Sequence, residues 1–187
     1  MANTSIFTDL PTLETERLIL RPPRMEDDQA VFAYASDPVV SRHTVWETHR
    51  TIDDSRSFLA MMLEFLKHGE PASWAFEEKS TGLMIGTGGF GSWNQQHARA
   101  EIGYTLGRSW WNRGYTTEAT RAIIGFGFSC LSLNRIEAYC FVENDASARV
   151  LLKCGMEYEG LLRERIHSKG AYRDLKVFSI LRSEWAR

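Results

Sequence analysis

Arg113-Gly114-Tyr115-Thr116-Thr117 ends a loop that begins near Arg108, and an amphipathic segment follows it. A glycine directly before a helix lets the backbone turn so that several N–H groups point into one concavity. Those unpaired donors and the positive end of the helix dipole make an anion site that suits a diphosphate. The Thr116 and Thr117 hydroxyls would add donors, and Arg108 or Arg113 would neutralise charge. The same residues also read as an ordinary helix N-terminus. There is no Gly-x-x-x-x-Gly-Lys-Ser/Thr run and no Gly-x-Gly-x-x-Gly opening a helix after a strand. Upstream, Glu101 opens the run Glu101-Ile102-Gly103-Tyr104-Thr105-Leu106, where a carboxylate either faces solvent or assists an amine by taking its proton. The histidines at 43, 49, 68, 97 and 167 lack paired metal-ligand spacing, so no metal site is expected. Cys130, Cys140 and Cys154 form no Cys-x-x-Cys pair and read as small buried thiols.

The elements that must position these groups alternate between strands and helices. Residues 17–21 (RLILR) read as a short strand ended by Pro22-Pro23. Residues 25–36 read as a helix stopped at Asp37-Pro38. A second helix starts at Thr51, where Asp53 and Asp54 supply first-turn negative charge, and it closes at Gly69-x-Pro71. Residues 73–78 and 83–93 read as strands joined at Ser80-Thr81-Gly82, with a further strand over 101–106. The spacing predicts a helix over 115–130, with Ala119, Ala122, Ile123, Phe126 and Cys130 on one face. A strand follows over 135–142. A short helix then runs from its cap Asn144 to Cys154, with Gly155 just past its end. Strands over 156–166 and 172–181 close around Ser168-Lys169-Gly170. Trp46 and Trp93 fall in loops where they could line an acceptor site, whereas Trp74, Trp110 and Trp111 read as core or pocket wall.

The order β-α-α-β-β-β-α-β-α-β-β is that of a mixed α/β domain, and 187 residues suit one domain over 1–187. Lys and Arg number 22 against 24 Asp and Glu, a net charge of −2 that argues against a dedicated nucleic-acid binder. Apolar residues at 43% and charged residues at 25% exclude a largely disordered chain. No basic-then-apolar leader begins the sequence and no apolar run approaches 18 residues, so a cytoplasmic protein without a membrane partner is expected.

Trp111-Asn112-Arg113-Gly114-Tyr115-Thr116 resembles motif A of the GNAT superfamily of acetyl-CoA-dependent N-acetyltransferases, Arg/Gln-x-x-Gly-x-Gly/Ala. Trp111 and Thr116 depart from it. Trp-Trp-x-x-Gly-Tyr-x-Thr-Glu-Ala is nonetheless similar to the branch that acetylates ribosomal-protein N-termini. The same branch is matched by Leu13-Glu-Thr-Glu-Arg-Leu-Ile-Leu-Arg-Pro22, by Ala100-Glu-Ile-Gly-Tyr104, and by Asn144-x-x-Ser147 leading to Lys153-Cys-Gly155-Met156. The resemblance covers about residues 13–185, in order.

It implies a twisted mixed sheet of about seven strands with about four helices, splayed into a V between the fourth and fifth strands. Acetyl-CoA would lie in the V, its pantetheine against the strand edge at Ile102, Gly103 and Tyr104. Its pyrophosphate would rest on the amides of Arg113, Gly114, Tyr115, Thr116 and Thr117; Arg108, Asn112 and Ser147 would also bind the cofactor, and Asn144 would contact the CoA arm. Glu101 matches the glutamate that serves as base in the histone-modifying branch, and an N–H near Gly103 would hold the developing oxyanion. Many members place a tyrosine acid where this chain has Leu151. Ser147 matches a serine proposed for that role, with Tyr172 and His167 as alternatives. The expected reaction is direct acetyl transfer to a primary amine, foremost a protein N-terminal α-amine. A small-molecule amine (polyamine, amino acid or aminoglycoside) is the alternative acceptor, and a non-catalytic acyl-CoA sensor the alternative class. A homodimer is compatible with this reading. Specificity would reside in residues 40–51, residues 93–99 and the final hairpin.

Overall fold

The computed structural model describes residues 6–185; the ends of the expected 1–187 domain, residues 1–5 and 186–187, lie outside the described residues. The strands are β1 (Leu13–Glu14), β2 (Leu18–Arg21), β3 (Ser73–Glu78), β4 (Met84–Asn94), β5 (Arg99–Leu106), β6 (Arg135–Phe141), β7 (Glu157–Ser168) and β8 (Ala171–Leu181). The helices are α1 (Asp28–Ala35), α2 (Pro38–Ser41), α3 (Ile52–His68), α4 (Tyr115–Ser129), α5 (Asp145–Lys153) and α6 (Arg182–Trp185). All eight strands form one sheet in the order β1-β2-β3-β4-β5-β6-β8-β7. The count exceeds the expected seven strands and four helices through three short pieces: β1, α2 and α6. No helix among the described residues is long and apolar enough to cross a membrane.

Every neighbouring pair is antiparallel except β5 and β6, which run parallel. That parallel pairing is short. It starts at Arg99↔Arg135 and stops at Ile102↔Ala138, while β5 continues to Leu106 and β6 to Phe141. The two strands therefore part where the V was expected. On its other edge β5 stays bonded to β4 as far as Gly86↔Leu106, so its free edge is held straight from behind.

Side chains alternate across β5, and the two faces carry different layers. Ala100, Ile102 and Leu106 join the larger apolar cluster with Ala119, Ile123 and Ile124 of α4 and Leu151 of α5. On the other face, Val31, Tyr34 and Ala35 of α1 pack with Leu59 and Met62 of α3 against Ala75 and Met84. α3 begins as its sequence suggests: the Asp54 carboxylate accepts from the Thr51 N–H at 2.9 Å and the Arg50 N–H at 2.8 Å. It ends at Gly69 in the left-handed conformation (φ 68°).

Three readings of the sequence change. Asp37-Pro38 stops α1 but at once starts α2, because the Asp37 carboxylate accepts from the Val39 N–H at 2.9 Å and proline needs no N–H at the first helical position. Cys130 is exposed, at the cap just past the end of α4; Cys140 and Cys154 are buried. Trp93 lies in β4, partly buried, and packs edge-on against Phe7 at the margin of the core with ring centroids 5.5 Å apart.

Candidate active site

A groove of about 700 Å³ opens where β5 and β6 part. Its floor is β5 from Ile102 to Leu106, and past Ile102 the edge of that strand toward β6 has no strand partner. Such an edge accepts an extended amide-bearing chain by the logic of strand addition. One wall is the turn before α4, with Asn112, Gly114, Thr116 and Thr117; the other is the start of α5, with Asn144 and Ser147. Residues of the loop after α2, from Arg42 to Trp46, overhang the opening.

The turn before α4 has the conformation that a cradle requires. Gly114 sits at φ 84° and Asn112 at φ 59°, two left-handed residues close together, so the chain reverses tightly and the first turn of α4, at Thr116 and Thr117, borders the groove. Two anchors behind the turn fix it. The Tyr115 hydroxyl donates to the buried Glu78 carboxylate at the end of β3. The Glu118 carboxylate accepts from the Thr15 hydroxyl (2.6 Å), the Arg17 N–H (2.7 Å) and the Arg17 guanidinium (2.7 Å). The same guanidinium donates to the Arg113 carbonyl at 2.8 Å and lies 4.4 Å above the Tyr115 ring. Burial alone would raise the Glu118 pKa, but these bonds outweigh it and hold the group below the usual carboxylate value.

The two side chains expected to neutralise the diphosphate lie outside the groove, as does the ring of Tyr115, which was expected there only through its amide. Arg108 pairs with Asp37 at 2.8 Å, Arg113 lies 5.3 Å from the Tyr115 ring centroid, and the Tyr115 side chain is buried; none of them lines the groove. Of the three, Tyr115 holds the turn through Glu78, and the groove wall there is made by Asn112, Gly114 and the two threonines. Cationic side chains reach the groove from other elements: Arg42 from the overhanging loop, and Arg149 and Lys153 from α5.

Across the groove, the Tyr104 hydroxyl meets the Ser147 hydroxyl at 2.9 Å and donates to the Ser147 carbonyl at 3.2 Å. Burial pushes the Tyr104 pKa above its ordinary value, so the phenol stays protonated and available as a donor. Asn144 caps α5, its side chain accepting from the Ser147 N–H at 3.1 Å. Leu151 is buried in the core, while His167 and Tyr172 stack edge-on at 5.1 Å outside the groove. The last hairpin does reach the end of α2, where the Lys169 ammonium donates to the Ser41 carbonyl.

Glu101 stands one residue before the strands part, in register with Glu137. Its side chain is on the opposite face of β5 from Ile102 and Tyr104, and it does not line the groove. Glu137 is well satisfied by Arg99 (3.1 Å), Arg135 (2.7 Å) and the Tyr139 hydroxyl (3.2 Å). Among the described residues, Glu101 forms no hydrogen bond or ion pair, and burial, with the Glu137 charge adding to it, raises its pKa. A half-buried carboxylate with free oxygens and raised basicity is suited to taking a proton.

Residues 17–157 match the acetyltransferase (GNAT) domain family. The chain belongs to the GNAT acetyltransferases. It is 37% identical over 172 residues to the uncharacterized N-acetyltransferase YoaA of Bacillus subtilis (strain 168), covering 92% of this chain and 97% of that one. To the [ribosomal protein uS5]-alanine N-acetyltransferase of Escherichia coli (strain K12) it is 26% identical over 183 residues, covering 92% of each. A GNAT-family acetyltransferase from Bacillus anthracis superimposes with a TM-score of 0.83 at 29% identity, over 93% of this chain and all of that one.

As a GNAT acetyltransferase, the chain owes much of its site to residues that sequence reading did not join. The Arg17–Glu118 clamp and the Tyr104–Ser147 contact connect residues 101 and 43 positions apart. Both pairs lie inside segments that resembled the family, but nothing in spacing shows that they meet. Arg149 and Lys153 stand four residues apart in α5, and that i, i+4 spacing on one helix face was a readable signal. Trp46 was expected near an acceptor site and does line the groove.

Proposed function

We propose that this GNAT acetyltransferase moves the acetyl group of acetyl-CoA directly to the α-amine of a protein N-terminus. The observation that carries the reading is the free β5 edge at 103–106, flanked by the left-handed Gly114 turn on one side and the Tyr104–Ser147 hydroxyls on the other. The edge suits pantetheine, and the turn suits its diphosphate. Arg42, Arg149 and Lys153 supply cationic partners for the remaining phosphate charge. The acceptor class rests on the branch resemblance and on the similarity to the uS5-alanine enzyme, which spans nearly the whole chain.

The chemistry follows from which groups stand near the point where the strands part. Glu101 takes the amine proton, through a water because its side chain lies outside the groove. A backbone N–H of β5 near Gly103 stabilises the oxyanion as the new N–C bond forms. When the C–S bond breaks, the Tyr104–Ser147 pair donates a hydrogen bond to the departing thiolate, which takes its proton from solvent. A bound acceptor with a neutral amine needs no covalent enzyme intermediate.

Thiol release from acetyl-CoA, measured with three acceptors, tests this reading: a short peptide with a free N-terminus, the same peptide blocked but carrying lysine, and spermidine. The free peptide should turn over and gain one acetyl on its α-nitrogen. Preference for lysine or spermidine would reject the acceptor class, and failure of acetyl-CoA to bind would reject the whole reading.

A further inference from the structure

A second, smaller cavity of about 170 Å³ lies on the other face of the sheet, under α1 and α3. It shares Trp46, Gly103, Tyr104 and Thr105 with the groove, so the two spaces meet along the free edge of β5. Where they meet, Gly103 leaves open space: a Cβ built there would touch nothing within 4 Å. A group seated in the smaller cavity is therefore next to the backbone at which the thioester is proposed to sit.

The walls of this cavity are aromatic. Trp46 and His49 pack at 5.4 Å and His49 and Phe58 at 6.0 Å between ring centroids. The His49 Nδ1 is bonded to the Ser55 hydroxyl at 2.8 Å, and burial lowers its pKa, so the ring is neutral at pH 7. No Asp, Glu, Lys or Arg lines the space. An ammonium, carboxylate or phosphate entering it would lose its hydration with nothing to compensate.

One polar atom is left over. Tyr34 is only 5% exposed, lines the cavity, and its hydroxyl has no hydrogen-bond partner. The Thr87 hydroxyl stands beside it without closing a bond of proper geometry. Buried hydroxyls are nearly always satisfied, and an unsatisfied one that faces a cavity calls for a polar group from outside the chain.

We infer that this cavity receives the side group of the acceptor next to its amine, and that it selects an uncharged group ending in a hydroxyl, bonded to Tyr34. A cavity of about 150 Å³ holds benzene, so the space admits roughly six heavy atoms. This inference rests on the acetyl-transfer reading of the groove and adds the chemistry of the acceptor to it. It disfavours polyamines at this position, because their second ammonium would meet only aromatic rings and neutral hydroxyls.

L-threoninamide and L-valinamide test it, since they differ only by a hydroxyl in place of a methyl. The parent enzyme should acetylate threoninamide with a kcat/KM about tenfold higher than valinamide, as one neutral hydrogen bond to a desolvated partner warrants. Tyr34→Phe should bring that ratio near one. The variant should fold at least as stably as the parent, because the lost hydroxyl makes no bond in the free protein. A parent ratio within twofold of one, or a ratio that survives Tyr34→Phe, would overturn the inference and leave the cavity to water. If neither amide is acetylated, calorimetry of the same pair against the CoA-loaded protein decides. Threoninamide-selective binding lost in Tyr34→Phe keeps the cavity assignment while the transfer reading falls; unselective binding, or none, overturns the assignment.

Discussion

Replacing Arg17 with alanine removes a side chain that never enters the groove, yet acetyl-CoA affinity should fall. The guanidinium makes two close contacts to Glu118, at 2.7 Å and 2.6 Å, one to the Arg113 carbonyl at 2.8 Å, and a stack on Tyr115. Charge-assisted bonds contribute about 1.5–3 kcal/mol when desolvated. The Arg17 side chain is 40% exposed, so that figure must be reduced for solvent screening. Glu118 also keeps its bonds from the Thr15 hydroxyl and the Arg17 N–H. A net loss of about 1–2 kcal/mol at the turn is reasonable, which corresponds to roughly 5- to 30-fold weaker binding. Because Arg17 touches no reacting atom, the loss should appear in acetyl-CoA Kd and KM, with kcat within about threefold of the parent. Arg17→Lys should recover part of it, since the ammonium restores the charge but not the forked contact. Titration calorimetry with CoA and steady-state kinetics read both quantities. A Kd within twofold of the parent, or a loss confined to kcat, would refute the idea that the clamp pre-forms the diphosphate turn.

Gly114→Val should weaken CoA binding more than Arg113→Ala, because φ 84° strains a β-branched residue and a Cβ there already meets the Arg17 guanidinium at 3.2 Å; calorimetry of both variants gives the order. Tyr104→Phe and Ser147→Ala should each lower kcat by about 10–100-fold with little change in acetyl-CoA KM, and the double variant should lose less than the product of the two, as coupled donors do. In the folded protein a thiol reagent should modify Cys130 alone, since Cys140 and Cys154 are buried and burial pushes the Cys154 thiol up to about 12; intact-mass spectrometry counts the adducts.

The elements with strong local signals were legible. Thr51 and Asp54 mark the start of α3, Asn144 caps α5, and Gly69 and Gly155 take the left-handed conformations that glycine after a helix suggests. The place where β5 and β6 part came from family resemblance, because no periodicity records where two parallel strands separate. Short pieces escaped: β1 exists only through its pairing with β2, and α2 is a single turn made by Asp37 and Pro38. At the site, backbone roles such as that of Gly114 were readable, whereas side-chain direction was not. Arg108, Arg113 and Tyr115 are all in the right segment, but Arg108 and Tyr115 are drawn away by partners distant in sequence, Asp37 and Glu78, and Arg113 lies against the Tyr115 ring two residues on. The smaller cavity had no sequence signal, since Tyr34, Trp46, His49, Phe58 and Thr87 come from four separate stretches of chain.

Glu101→Gln tests the central claim, that a half-buried carboxylate at the parting of the strands deprotonates the acceptor. The change keeps size and polarity, so acetyl-CoA affinity should hold while kcat falls about 10²–10⁴-fold at neutral pH. Burial raises the Glu101 pKa, so in the parent the acid limb should lie above the usual carboxylate value, with activity lost as pH falls through it and the base becomes protonated. In the variant that limb should vanish, and its deficit should shrink as rising pH supplies more neutral amine. Variant turnover within twofold of the parent over about pH 6 to 9, with an unchanged acid limb, would contradict the account and remove Glu101 from the reaction.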